Sequence, residues 1–115
     1  MFLHVYLVDE VDPNTRQGDI VYWGRTSHAN NMMAYEGGAY ECIWHPTKLG
    51  IRQASALSYR LDRMVATMDH DPDRFLWYEI DPDCGGSNFD NFRAFLREYS
   101  DACKKHPDAE VRVKG

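Results

Sequence analysis

Two stretches of this chain carry apolar residues at the three- and four-residue spacing that places side chains on one side of an α-helix. The first lies within 51–68, and the second follows Ser87 and ends at His106–Pro107. Their apolar stripes consist of Ala54, Leu57, Leu61, Met64, Val65 and Met68, and of Phe92, Phe95, Leu96, Tyr99, Ala102 and Cys103. Because such helices gain most of their stability by burying the stripe, we expect both to pack on one shared core.

Three further segments predict β-strands. Residues 2–9 (FLHVYLVD) and 20–23 (IVYW) are rich in β-branched and aromatic types, and Asp, Pro, Asn and Gly over 11–19 predict a turn between them. Gly24 is expected to end the second strand. Residues 109–114 alternate, with Val111 and Val113 facing inward, and we expect them to pair with the first strand.

The sequence therefore predicts one α+β domain over residues 1–115. A small antiparallel sheet, made of an N-terminal hairpin and a C-terminal strand, would pack one face against two or three helices. Residues 30–44 predict a short helix interrupted by Gly37–Gly38, and 74–80 a short strand or a turn of helix. The segment 81–87 predicts a loop, with Ser87 and Asp90 as a weak capping box for the last helix.

Composition indicates which partners and which cellular compartment to expect. The formal net charge is −5, so we expect neither direct nucleic-acid binding nor binding to anionic lipid. No apolar run approaches the roughly 20 residues of a membrane helix, and the N-terminus does not resemble a signal peptide. Three widely spaced cysteines, Cys42, Cys84 and Cys103, predict free thiols in a reducing cytoplasm.

Catalytic and metal-binding patterns are weak. The cluster Asp69, His70, Asp71 and Asp73 lacks the spacing of a calcium loop and predicts a solvated turn at the end of a helix. The sequence contains no nucleophile elbow, Walker A motif or dinucleotide fingerprint. We therefore expect a protein that is not an enzyme and needs no cofactor or metal. A small hydrolase using His28 or His70 stays open as an alternative.

The segment 21–35 (VYWGRTSHANNMMAY) is the best candidate for a binding site. It joins a strand to a helix and combines aromatic rings with a guanidinium, amides and hydroxyls, which suits a small polar ligand or a protein hot spot. A plain helix cap is the competing interpretation. The predicted site residues are Trp23, Arg25, Thr26, His28, Asn30, Asn31, Tyr35 and Trp44.

Three segments also resemble a family of small, uncharacterised phage and prophage proteins. They are 26–32 (TSHANNM), 40–51 (YECIWHPTKLGI) and 88–114, which ends in ACKKHPDAEVRVK, and the resemblance extends over about residues 24–114. It implies a viral or mobile-element origin. By analogy with other small phage proteins, we expect a non-catalytic binding protein that counters host defence in the host cytoplasm.

Two modes of action fit this expectation. The protein would either occlude a host defence protein or sequester a small signalling nucleotide. A phage accessory or assembly protein is the alternative, and the sequence leaves homo-oligomerisation open.

Overall fold

The computed structural model describes residues 1–80 and 86–115, and it confirms the α+β fold. Its antiparallel sheet has the strand order β2-β1-β3, with β1 at Phe2–Asp9, β2 at Asp19–Ser27 and β3 at Glu110–Lys114. Five α-helices accompany these strands in the described ranges: α1 Asn31–Glu36, α2 Tyr40–Trp44, α3 Ser58–His70, α4 Asp73–Leu76 and α5 Phe89–Lys105. Short 3₁₀ turns occupy His28–Asn30, Pro46–Leu49 and Ala54–Ala56. None of these helices has the length and apolar character needed to cross a membrane.

The central strand β1 determines which face of the sheet meets the core. Its alternate residues Leu3, Val5 and Leu7 are buried, as the two-residue period of a strand requires when one face is covered. Strand β3 pairs antiparallel with β1 and places Val113 opposite Val5 and Val111 opposite Leu7. The predicted pairing of the two terminal strands is therefore confirmed.

The predicted end of β2 at Gly24 is wrong, since the strand continues through Ser27. Gly24 lies opposite Val5, on the core face. A Cβ atom on Gly24 would lie 2.5 Å from the hydroxyl oxygen of Tyr22, so the glycine makes room for that ring. The Tyr22 ring in turn stacks on Tyr99 of α5, with ring centroids 5.9 Å apart. Glycine here marks a close approach between groups within a strand rather than the end of the strand.

Helices α3 and α5 supply most of the remaining core. The predicted stripe residues Leu57, Leu61, Met64, Phe92, Phe95, Leu96 and Tyr99 are all buried, and Val65 packs against them half-buried. Helix α3 begins at Ser58, later than predicted, because the chain before it is held to β3. The Val111 amide donates to the Arg52 carbonyl over 2.8 Å, and the Ala54 amide to the Ala109 carbonyl over 2.9 Å.

The remaining segments refine the sequence predictions. Residues 30–44 form two short helices separated near Gly37. The one-turn helix α4 begins one residue before the segment 74–80 and extends into it, as one of the two alternatives proposed. Helix α5 is capped by Asn88, whose side chain accepts from the Asn91 amide at 2.9 Å, and not by the predicted Ser87 box. Ser87 instead accepts a hydrogen bond from the Ile80 amide. The predicted loop at 81–87 lies largely outside the described residues, and so does the Cys84 thiol.

Candidate functional site

The structure separates the eight predicted site residues into three groups. Trp23 and Arg25 point away from the core, on the outer face of the sheet. Thr26 and Asn30 are buried. The rest lie on the helical side of the molecule, namely His28, Asn31, Tyr35 and Trp44.

Asn30 and Thr26 form a buried connection between β2 and α5. The Asn30 side-chain amide donates to the Thr26 hydroxyl over 2.9 Å, and its carbonyl oxygen accepts from the Asn88 amide over 2.9 Å. Because Asn88 is the cap of α5, Asn30 sets the position of that helix relative to the end of β2. This pair therefore has a clear structural role.

His28 and Trp44 belong to a series of contacting aromatic rings. The Trp44 indole N–H donates to Nδ1 of His28 over 3.1 Å. Tyr40 stacks on Trp44 with centroids 5.2 Å apart, and Tyr35 stacks on Tyr40 at 3.9 Å. Trp44 is buried, whereas Tyr35 is half exposed, so this series of rings extends from the core to the surface.

The outer face of the sheet carries two rows of side chains that cross all three strands. In the first row, Tyr6 of β1 lies between Trp23 of β2 and Arg112 of β3. In the second row, His4 of β1 lies between Arg25 and Lys114. Residues directly opposite each other on neighbouring strands project to the same side, so each row is a set of neighbouring side chains. Trp23 is 56% exposed, which leaves most of its ring open to a partner.

The β2 side chain of each row is stacked on a ring that lies outside that row. The Trp23 ring lies parallel to His4, with centroids 5.9 Å apart, and its indole N–H donates to His4 Nδ1 over 3.2 Å. The Arg25 guanidinium lies over the ring of Phe2, 4.6 Å from its centroid. Both contacts hold a flat group in place beside the open face, as a stacking surface requires.

A hollow of about 660 Å³ lies at the first row, beside Tyr6, Ile20, Arg112 and Lys114. The hairpin loop borders it, and Gly18 is required there because a Cβ would lie 2.5 Å from the Asp9 carbonyl oxygen.

Glu110 holds Arg112 in place at the edge of this hollow. The Arg112 Nε donates to the Glu110 carboxylate over 2.6 Å, and Arg16 pairs with the same carboxylate. Burial raises the pKa of Glu110, but the hydrogen bonds from Arg112 and Arg16 outweigh it, so the net pKa is lowered and the group stays ionised.

Sequence reasoning found Trp23 and Arg25 but missed their neighbours Phe2, His4, Tyr6, Arg112 and Lys114. The alternation along residues 2–6 and 110–114 was the available signal, because it assigns these side chains to the face opposite the core. The cross-strand register could not be derived from it.

The predicted acidic cluster lies at the end of α3 and the start of α4. Asp69 accepts two hydrogen bonds from Arg93, of 2.5 and 2.9 Å, and these bonds lower its pKa. Across residues 1–80 and 86–115, no group of three or more His, Cys, Asp or Glu side chains is arranged to hold a metal ion. Asp69 is thus engaged as one half of an ion pair.

Chelation should accordingly leave the stability of the protein unchanged. We expect the melting temperature in excess EDTA to match that in buffer, because the acidic side chain at the end of α3 is neutralised by Arg93. Differential scanning fluorimetry measures this directly. A fall of several degrees that added zinc or calcium reverses would contradict it.

Comparisons with protein-family models, curated proteins and solved structures found no match for the chain. Function is therefore inferred from the side chains of the site, and the resemblance to phage proteins stays a prediction.

Proposed function

We propose that this protein is a non-catalytic binding protein and that its binding surface is the outer face of the sheet. Of the two modes expected from the sequence, occluding a host protein or sequestering a small nucleotide, this face favours the nucleotide. The observation that carries the proposal is the pairing of exposed flat groups with cations in two adjacent rows. A role against host defence, in a phage-infected cell, is the wider proposal and is supported by the sequence resemblance.

The flat groups suit the base of a nucleotide. Nucleobases stack on aromatic rings and on guanidinium planes, and each stacked base contributes about 1–3 kcal/mol to binding. Trp23 offers an open ring backed by His4, and Arg25 offers a guanidinium backed by Phe2. These supports keep the two groups in place before the ligand arrives, which reduces the entropy lost on binding.

The charges suit the phosphate. Arg25, Arg112 and Lys114 lie on the same face as the flat groups, although the chain as a whole has a formal net charge of −5. Glu110 and the Arg16 carbonyl oxygen each accept a hydrogen bond from Arg112, and Glu110 partly neutralises it, which leaves the other guanidinium donors beside the hollow. An anion there gains hydrogen bonds as well as charge attraction.

The geometry favours binding over the hydrolase alternative. Nδ1 of His28 accepts the Trp44 indole N–H, so a proton cannot be taken up at that nitrogen without breaking this bond. His70 is exposed at the last residue of α3, beside the Asp69–Arg93 ion pair. Among residues 1–80 and 86–115, the contacts of these two histidines do not pair a nucleophile with a base in the way that the known catalytic arrangements do.

Replacing Trp23 by Ala should weaken nucleotide binding at least fivefold, since one stacked base is lost. The measurement is isothermal titration of the protein with a panel of nucleoside mono-, di- and triphosphates and short oligonucleotides. The matched control is Trp77→Ala, because Trp77 is 83% exposed and lies at the end of α4 on the helical side.

Equal affinity of the parent and Trp23→Ala for every ligand that binds would contradict the proposed surface. Failure of the whole panel to bind the parent protein would contradict the nucleotide mode itself. Unchanged melting temperatures of both variants show that the fold is retained.

A further inference from the structure

We infer that the ligand of this face is a short oligonucleotide, with one nucleotide seated on each row, rather than a mononucleotide or a long strand. This rests on the proposed function, specifies its substrate class and departs, for short chains only, from the expectation that the protein does not bind nucleic acid. The observation behind it is a repetition: each row places a flat group on β2, a ring on β1 and a cation on β3. The two sets are Trp23, Tyr6 and Arg112 in the first row, and Arg25, His4 and Lys114 in the second.

The spacing of the rows fits neighbouring nucleotides of an extended chain. Trp23 and Arg25 are two residues apart on one strand, so their Cα atoms are about 7 Å apart along it. Stacked bases within a helix rise by only about 3.4 Å per nucleotide. The two bases would therefore be spread apart and bound separately, which is how proteins commonly bind single-stranded oligonucleotides.

The width of the sheet places the phosphates on the β3 side. Strand β3 lies two strand spacings from β2, or about 10 Å. A base stacked on Trp23 would extend its sugar and phosphate across Tyr6 towards Arg112, where the hollow of about 660 Å³ lies. In the second row, the same arrangement runs across His4 towards Lys114.

Charge limits the length of the ligand. The cations of the two rows are confined to this face, while the chain as a whole carries a formal charge of −5. Phosphates that extend beyond the rows would meet a predominantly acidic protein and be repelled. Two nucleotides therefore gain all the favourable contacts of the two rows, and additional ones gain none.

Linear oligoadenylates of one, two, four and twelve nucleotides test the inference. The dinucleotide should bind the parent protein about tenfold more tightly than adenosine monophosphate, because a second base is stacked. The tetranucleotide should bind similarly to the dinucleotide, and the twelve-nucleotide strand no more tightly. Dinucleotide affinity should fall as the salt concentration rises, because exposed lysine and arginine contacts to phosphate are screened by salt.

Variants assign the two nucleotides to the two rows. Trp23→Ala and Arg25→Ala should each reduce dinucleotide affinity by about tenfold. Combining the two substitutions should leave only the affinity that the dinucleotide has without base stacking. The matched controls are Trp77→Ala and Lys105→Ala, which remove an exposed ring and an exposed cation from the helical side. Both controls should bind as the parent does.

The alternative outcomes are distinct. Equal binding of mono- and dinucleotide, sensitive to Trp23→Ala, would overturn the two-nucleotide site and leave the proposed function standing. Affinity that keeps rising to twelve nucleotides would overturn the short ligand in favour of a nucleic-acid strand. If no adenylate binds, the inference fails, and the panel of other nucleotides decides the proposed function separately.

Discussion

Replacing Leu61 by Ala should lower the free energy of unfolding by about 2–5 kcal/mol, and Phe95→Ala should cost about as much. Leu61 is fully buried in α3 and Phe95 is 5% exposed in α5, in the interface where the two long helices meet. Removing either side chain takes away buried apolar surface and leaves a cavity that the surrounding helices fill only in part. Urea unfolding followed by circular dichroism gives the free-energy difference directly.

Leu49→Ala is the matched control, since Leu49 is 44% exposed and its truncation should cost about 0.5 kcal/mol or less. If the two core variants were as stable as this control, the helices could not be packed through these faces. The helical stripes predicted from the sequence would then be wrong in register.

Alkaline pH should destabilise the protein steeply, through groups buried in the same core. Burial raises the pKa of Cys42 to about 11, that of Cys103 to about 12 and that of Tyr22 to about 12. Tyr99 is more deeply buried, and its pKa is raised well above the ordinary value. In the unfolded chain these thiols ionise near pH 8.5 and the phenols near pH 10.

The direction of this change in stability follows from proton binding. Above about pH 8.5 the unfolded chain loses protons that the folded chain still holds, so unfolding is favoured progressively as the pH rises. The stability contributed by these groups is complete below their unfolded pKa values and is lost as the pH rises towards about 12. Each unit of pKa difference is equivalent to about 1.36 kcal/mol, so the two thiols alone should lose several kcal/mol. Tyr22 adds less, because solvent screens this partly exposed group.

Urea unfolding at pH 8 and at pH 11, in the presence of reductant, measures this loss. Cys103→Ala removes the thiol with the pKa of about 12, so the difference in stability between the two pH values should be smaller in that variant. Comparing the pH-dependent change in stability of the variant with that of the parent removes the cost of the truncation itself. Equal stability of the parent protein at both pH values would show that these groups are accessible to water.

The secondary structure was largely predictable because its signals are local. The apolar spacing of α3 and α5 and the alternation of β1 and β3 record which side of each element is buried, and burial is what stabilises them. The incorrect predictions lie where a local sequence pattern reflected a contact with a distant part of the chain. Gly24 leaves room for the Tyr22 ring, which is stacked on the distant Tyr99, and Arg52 is held by the backbone of β3.

The binding site was predicted only in part, because the prediction was limited to residues near one another in the chain. Trp23 and Arg25 do lie on an exposed face. Thr26 faces the core opposite Leu3, and Asn30 is held inward by its bonds to Thr26 and to the cap of α5. A polar residue beside a strand end has the same local pattern whether it binds a partner or fastens a helix. Only the distant Asn88 amide distinguishes the two roles.

The sequence by itself determined the elements and the faces that they bury, since helical and strand periods depend on neighbouring residues alone. The tertiary structure decided which side chains meet. Trp23, Tyr6 and Arg112 form one row although they are far apart in the chain, because β1 pairs with β2 on one side and with β3 on the other. That register depends on packing the whole sheet against α3 and α5, and no local pattern encodes it.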